Sequence, residues 1–236
     1  MVRNHPDRVI GRTVTRITEL LAPRTCAVCR IPGASLCARC VAAMAAPDWP
    51  RCARCGCPQS LPVDRCPECR PSLALARQAV AYDAAAAAAM RGLKDHGRRD
   101  LAAPLAGLVV ARCPPPPPDA VLVPVPLGAA RRRKRGYNQS ALIGAELARV
   151  WGVPVRHDVL ARTREEPPQR GAGRTVRARQ AAGAFDVVPG ALVPAHVWLV
   201  DDVVTTGATL GACAAALRRA GAERVCAVAV ARAVRP

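Results

Sequence analysis

The spacing of apolar and polar positions changes several times along the chain, and each change marks an element. Over residues 1–22, Val9, Ile10, Val14, Ile17 and Leu21 recur near helical spacing, with Arg8, Arg12 and Arg16 on another side. This predicts an amphipathic helix stopped by Pro23. The helix is expected to pack on the body of the protein, with a membrane surface as the alternative. Beyond residue 71 the pattern predicts a short strand at 78–82 (QAVAY) and helices at 84–94 and 98–112, broken near Gly97. Pro114 to Pro118 form a stiff polyproline spacer that cannot be helical. AVLVPVPL (120–127) reads as a buried strand ending at prolines. Residues 138–151 read as a helix capped by Asn138 or Ser140, and VPVRHDVL (153–160) as a strand.

Residues 162–180, RTREEPPQRGAGRTVRARQ, are polar, Arg-rich and without periodicity at their start. A loop of that length in a compact domain is usually functional or disordered. AFDVV (184–188) is a candidate short strand, and HVWLVDDVV (196–204) a buried strand running into a Thr/Gly turn. A helix follows over 209–220, ended by Gly221, and RVCAVAVA (224–231) is the last strand. Strands alternating with helices predict an α/β fold with a mostly parallel sheet.

The 236 residues suit one domain of ordinary size, or a small domain and a medium one. A hydrophobic fraction of 51% argues against a mainly disordered chain. No uncharged apolar run reaches about 18 residues, and the N-terminus has no uninterrupted apolar centre. Neither a membrane span nor a secretory signal is expected, which leaves the cytoplasm as the expected compartment. Lys and Arg total 35 against 17 Asp and Glu, a formal net charge of +18. Lys94 and Lys134 are the only lysines, an Arg-for-Lys usage that a biased genome composition also produces. The charge that remains suits phosphate-bearing partners, with a solvated basic surface as the alternative.

Nine of the 12 cysteines lie between Cys26 and Cys69. Eight form C-x-x-C pairs: Cys26/Cys29, Cys37/Cys40, Cys52/Cys55 and Cys66/Cys69. In a cytosolic chain such clusters read as metal binding. Two pairs supply the four thiolates that structural zinc prefers, so four pairs predict two zinc sites. The simplest pairing is sequential, Cys26, Cys29, Cys37 and Cys40, then Cys52, Cys55, Cys66 and Cys69; spacing also allows an interleaved one. A set of redox motifs is the alternative, but the thioredoxin-like context is missing. Cys57 is expected to be an unliganded thiol, and Cys113, Cys213 and Cys226 small buried hydrophobes.

The most informative stretch is VWLVDDVVTTGATL, residues 197–210. An apolar strand runs into Asp201 and Asp202, then into Thr205, Thr206, Gly207, Ala208 and Thr209 at the start of a helix. The carboxyl end of a parallel strand is where α/β sheets bind ligands. The turn offers N–H groups and hydroxyls to an anion, and Gly207 lets the backbone come close. The carboxylates suit vicinal hydroxyls nearby. A phosphate next to two hydroxyls describes ribose 5-phosphate.

This stretch resembles the phosphoribosyl pyrophosphate (PRPP) loop of type I phosphoribosyltransferases. LKDHGRRDLAAPLA (93–106), VPVPLGAARRRKRGYNQS (123–140) and PPQRGAGRTVRARQAAGAF (167–185) are similar to blocks of the ComF family. The resemblance covers nearly all of the chain after residue 22. It implies a doubly wound sheet of type I phosphoribosyltransferase kind, preceded by a small double zinc-ribbon domain. The boundaries expected are an N-terminal helix at 1–22, a zinc-ribbon unit at 23–75 and a phosphoribosyltransferase-like domain at 76–236. It also implies a link to DNA uptake in natural competence.

Carried over by residue, the resemblance gives Asp201 and Asp202 the ribose hydroxyls and Thr205, Thr206, Gly207, Ala208 and Thr209 the 5-phosphate. It sets the 123–126 turn and Arg131 on the pyrophosphate side, and matches Lys94 and the block Arg135, Gly136, Tyr137, Asn138 and Gln139 near the site. The Gln169 to Arg179 segment matches a mobile loop that closes over PRPP, with Gly171 and Gly173 as its hinges. The chain departs from the family pattern at Asp95, Gly128, Ala172 and Gln180.

Such a site would act by positioning, by charge stabilisation and with Mg2+ bound through substrate oxygens. Arg131 with Arg164 or Arg174 are candidates to neutralise the leaving pyrophosphate. Two functions follow: a phosphoribosyltransferase with an unidentified acceptor, or a single-stranded DNA-handling protein of competence in which PRPP is ligand or regulator. A zinc-ribbon nucleic-acid adaptor with a vestigial site is a third. RRRKR at 131–135 fits either the pyrophosphate side or a phosphate-tracking surface, and a competence-machinery partner would suit the second function.

Overall fold

The computed structural model describes residues 24–164 and 183–233. The expected N-terminal helix and the Gln169 to Arg179 loop, with Arg174, Gly171 and Gly173, lie outside them. In chain order the elements are α1 (Ala38–Ala43), β1 (Leu75–Ala81), α2 (Ala84–Asp95), a 3-10 turn (Arg99–Leu101), α3 (Ala102–Arg112) and β2 (Val121–Pro124). Then come α4 (Ala129–Arg135), α5 (Gln139–Trp151), β3 (Leu160–Arg162), β4 (Phe185–Val187), β5 (His196–Val204), α6 (Ala208–Arg219) and β6 (Arg224–Arg232). Among the described residues, no helix is long and apolar enough to cross a membrane.

The main sheet has four strands in the order β1-β6-β5-β2, all parallel. Its interior strands are apolar on both faces, as a covered parallel sheet requires. Along β5, Trp198 and Val200 join one core, while Val197 and Leu199 join the other. The first core receives Leu93 of α2, Leu105 and Val109 of α3, and Ile143 and Leu147 of α5. The second receives Leu210, Cys213 and Leu217 of α6, together with Leu160 and Phe185 of the β3–β4 hairpin. Helix α5, which comes between β2 and β3, therefore lies on one face, and α6, which follows β2's neighbour β5, lies on the other. The chain changes sides between these strands, and a crevice opens beyond their carboxyl ends.

Local chemistry sets the helix ends. Asp83 caps α2 by accepting from Ala86 N at 2.7 Å. Asn138 caps α5 by accepting from Ser140 N at 3.0 Å, and Gly152, in the left-handed region, ends it. Cys113, Cys213 and Cys226 are buried in the two cores.

The structure departs from the pattern-based reading in four places. The strand expected at 153–160 is absent as a continuous element: Val155 alone bridges to Leu122, and β3 starts only at Leu160. Pro154 has no N–H to extend the ladder, and Arg156 and Asp158 pair in solvent instead. The helix expected from residue 98 opens with a 3-10 turn before α3. The first strand begins at Leu75 rather than at residue 78. Helix α4, formed by AARRRKR, has no apolar stripe to announce it and buries no side chain.

Candidate functional site

The first cysteine cluster comprises Cys26, Cys29, Cys37 and Cys40, and the second Cys52, Cys55, Cys66 and Cys69. Within each, the four sulfurs lie within 4.8 Å of one another. Zinc–sulfur bonds of about 2.3 Å in a tetrahedron put ligand sulfurs roughly 3.8 Å apart. Observed separations are 3.7 Å for Cys29–Cys37, 3.5 Å for Cys52–Cys69 and for Cys55–Cys66, and 4.0 Å for Cys66–Cys69. None of the eight is joined in a disulfide. Burial pushes the Cys26 thiol up, but the N–H groups of Cys29, Cys37 and Val28 outweigh it and bring it down to about 6. At Cys26 these N–H groups favour the thiolate, which is the form that binds metal, whereas burial pushes the Cys40 thiol of the same cluster up. The donor sets fit two zinc ions in the sequential pairing. Cys57 packs half-buried against the second cluster.

The two clusters are tied to different parts of the fold. Beside the first, Arg98 Nη1 donates to Thr25 O at 2.7 Å and Ser35 Oγ to Asp100 O at 3.2 Å. Cys26, Ala27, Leu36, Cys40 and Met44 share the core of α2 and α3. Beside the second, buried Gln78 and Arg232 both donate to Cys55 O, at 3.4 and 3.2 Å. Gly56 closes this contact: a Cβ there would come within 2.2 Å of Gln78 Oε1.

A cleft of about 240 Å³ opens beyond the carboxyl ends of β2 and β5. Asp201, Asp202 and Thr209 line it from one side, and Lys94, Arg131, Arg135 and Arg162 from others. The alternation along β5 turns Asp202 toward the face that carries α2, where Lys94 Nζ lies 2.6 Å from Asp202 Oδ2. Asp202 is only 4% exposed, so its charge is compensated by that ammonium rather than by water. Asp201 Oδ1 accepts from Ser140 Oγ at 3.2 Å and from Asp202 N at 2.9 Å. Burial, then the neighbouring Asp202 charge, push the Asp201 carboxyl up to about 7; the Asp202 N–H, Lys94 and Ser140 act in the opposite sense.

The RGYNQ block scaffolds the cleft. Gly136, at φ 76°, ends α4 in the left-handed region. Tyr137 Oη donates to Leu93 O next to Lys94, and the Arg99 guanidinium stacks 4.6 Å from the Tyr137 ring centre. Asn138 Nδ2 donates to Val125 O at 2.9 Å, which fixes the end of β2 against α5. Arg135 donates to Gln139 Oε1 and lies 3.8 Å from Asp95.

Of the turn residues, Thr209 lines the cleft, and Thr206 Oγ1 accepts from Ala208 N at 3.3 Å within the turn. Gly207 stands in the left-handed region at φ 68°. Ala208 faces a neighbouring hollow on the other side of α6, and Arg164 lies outside the cleft lining. Two polar lining residues had no site role in the sequence reading: Ser140, offered only as a helix cap, and Arg162, which was only the first residue of the Arg-rich 162–180 segment.

No protein-family model matches the chain. Curated relatives do. Competence protein F of Haemophilus influenzae is 36% identical over 110 residues, covering 46% of this chain and 48% of that protein. DNA utilization protein YhgH of Salmonella typhi is 33% identical over 87% of this chain and 96% of its own length. The protein of the same name from Escherichia coli K12 is 30% identical with the same coverage. The chain belongs to this family, the ComF family.

Proposed function

We propose that this ComF-family chain binds Mg2+·PRPP in the cleft and transfers its phosphoribosyl group to an acceptor yet to be identified. One observation carries the reading: two carboxylates and a set of cations converge on one cleft where the chain changes sides of the sheet. Asp201 and Asp202 would hold the ribose hydroxyls. Thr205, Thr206, Gly207, Ala208 and Thr209 would take the 5-phosphate, with Arg131 and Lys94 on the pyrophosphate side. Mg2+ would arrive on substrate oxygens and neutralise part of their charge. The C1–O bond to pyrophosphate breaks, its electron pair leaves with pyrophosphate, the acceptor's lone pair forms the new bond to C1, and the proton of an N–H acceptor passes to pyrophosphate or water. The protein contributes position and fixed charge. Lys94 pairs with Asp202 in the cleft, so the acid pair carries a compensating cation. The test is pyrophosphate release from Mg2+·PRPP across nucleobases and other nitrogen acceptors. Release that requires one acceptor and fails in Asp202→Asn supports the enzyme.

A second reading has its own observation. Arg132, Arg133 and Lys134 of α4 are exposed, while Arg131 and Arg135 line the cleft. Relatives named for competence and DNA utilization suit a polyanion on that outer face. In this reading the protein handles single-stranded DNA in the cytoplasm, with a competence-machinery partner, and PRPP is its ligand or regulator. Binding should weaken steeply with salt. PRPP binding without turnover on any acceptor favours this reading over the first.

A further inference from the structure

We infer that Arg70 is a positioning residue for the turn between β5 and α6, and that through it the second cysteine cluster is a structural part of that turn. The inference deepens the proposed phosphate role of the turn and rests on it for its ligand readout. Arg70 directly follows Cys69, a member of the cluster. Its Nη2 donates to Thr206 O at 3.0 Å, across 136 residues of sequence. Its aliphatic stem lies on α6 where Gly211 leaves room. A Cβ at Gly211 would stand 2.7 Å from Arg70 Cγ, 3.0 Å from Cδ and 3.1 Å from Cβ. The guanidinium thus reaches the turn only because position 211 has no side chain.

The segment that carries Arg70 is itself fixed by the cluster. Arg54, between Cys52 and Cys55, donates through Nε and Nη2 to Leu73 O at 3.0 and 2.8 Å, and through Nη2 to Pro71 O at 3.1 Å. Leu73 N donates back to Arg70 O, and Cys69 N to Cys66 O. Ala74 N and Ala76 N then bond to Val225 O and Arg54 O, so the cluster runs into β1 without slack. Beside the first cluster the bonds are instead Arg98 Nη1 to Thr25 O and Ser35 Oγ to Asp100 O. The segment that carries the second cluster therefore holds the Thr206 carbonyl in place through Arg70.

The test uses the full chain with both metals bound. Hydrogen exchange of the 203–210 amides is followed in Arg70→Ala, Arg70→Lys and Gly211→Ala, together with zinc content and binding of Mg2+·PRPP. Gly211→Ala displaces the Arg70 stem without removing its charge, and it removes a helical glycine, so it guards against simple loss of fold. Arg70→Ala and Gly211→Ala are expected to speed exchange at the turn by about tenfold, the loss of roughly one hydrogen bond, with zinc content and sheet exchange unchanged. Arg70→Lys, which can still donate to Thr206 O, should restore most of the protection. PRPP affinity should fall in parallel. Wild-type exchange at the turn in both Arg70→Ala and Gly211→Ala overturns the inference. If the turn loosens while the wild-type chain does not bind PRPP, the positioning role stands and the PRPP reading fails.

Discussion

Lys94 Nζ and Asp202 Oδ2 meet at 2.6 Å, joining the C-terminal end of α2 to the C-terminal end of β5. The aspartate is almost wholly buried and the lysine side chain 26% exposed. A buried carboxylate that loses its partner costs more than the pair contributes. Lys94→Met should therefore destabilise the ligand-free protein by about 2 kcal/mol, a value lowered for the lysine's exposure. Lys94→Met with Asp202→Asn should recover most of that loss. Denaturant melts of the four proteins in the cycle check this, and strictly additive effects would refute the pairing.

Asp201 supplies a prediction in pH. Its carboxyl is raised from 3.8 to about 7 in the folded protein. Between those values the folded state keeps a proton that the unfolded chain releases, so stability falls as pH rises through the window. Below the window the cost is absent, and above it the cost is complete. Asp201→Asn should match the wild type near pH 4 and exceed it by roughly 1–2 kcal/mol at pH 8. Thermal melts at the two pH values decide it; an equal difference at both would count against a raised carboxyl.

Helix α4 buries no side chain. Arg131→Ala should thus leave the melting temperature within a degree or so of wild type. It should weaken PRPP binding roughly 10–100-fold, the usual effect of losing a hydrogen bond to a charged group. The same change at Arg133, which faces solvent outside the cleft, should leave PRPP binding unaltered and weaken single-stranded DNA binding instead.

The native chain should carry about two equivalents of zinc, one for each set of four thiolates. Cys26→Ser should reduce the content to about one. It should also lower the melting temperature strongly, because Cys26 shares the core of α2 and α3. Metal analysis with a chelator-competition melt measures both. Zinc content unaffected by Cys26→Ser would overturn the assignment of that cluster.

Elements with an apolar signal of their own could be read directly from the chain. Strand β5 falls where its run of apolar residues before Asp201 predicts it, and α6 starts within a residue of expectation at Ala208. The C-x-x-C pairs gather in sequence order because each knuckle needs only local chain. Helix α4 escaped because five consecutive basic residues leave no apolar face to detect. The 153–160 stretch misled because Val153 and Val155 alternate like a strand, while Pro154 withholds the donor that pairing needs. The partners of the acids were out of reach for another reason. Lys94 to Asp202 and Arg70 to Thr206 are contacts between segments more than 100 residues apart, and only the fold brings them together.

Whether the cleft binds Mg2+·PRPP is decided by calorimetric titration of the full, zinc-loaded chain. Saturable binding at about one site per chain is expected, dependent on Mg2+ and abolished or severely weakened in Asp202→Asn. Absence of binding in the wild type, or equal binding in Asp202→Asn, would contradict the PRPP reading.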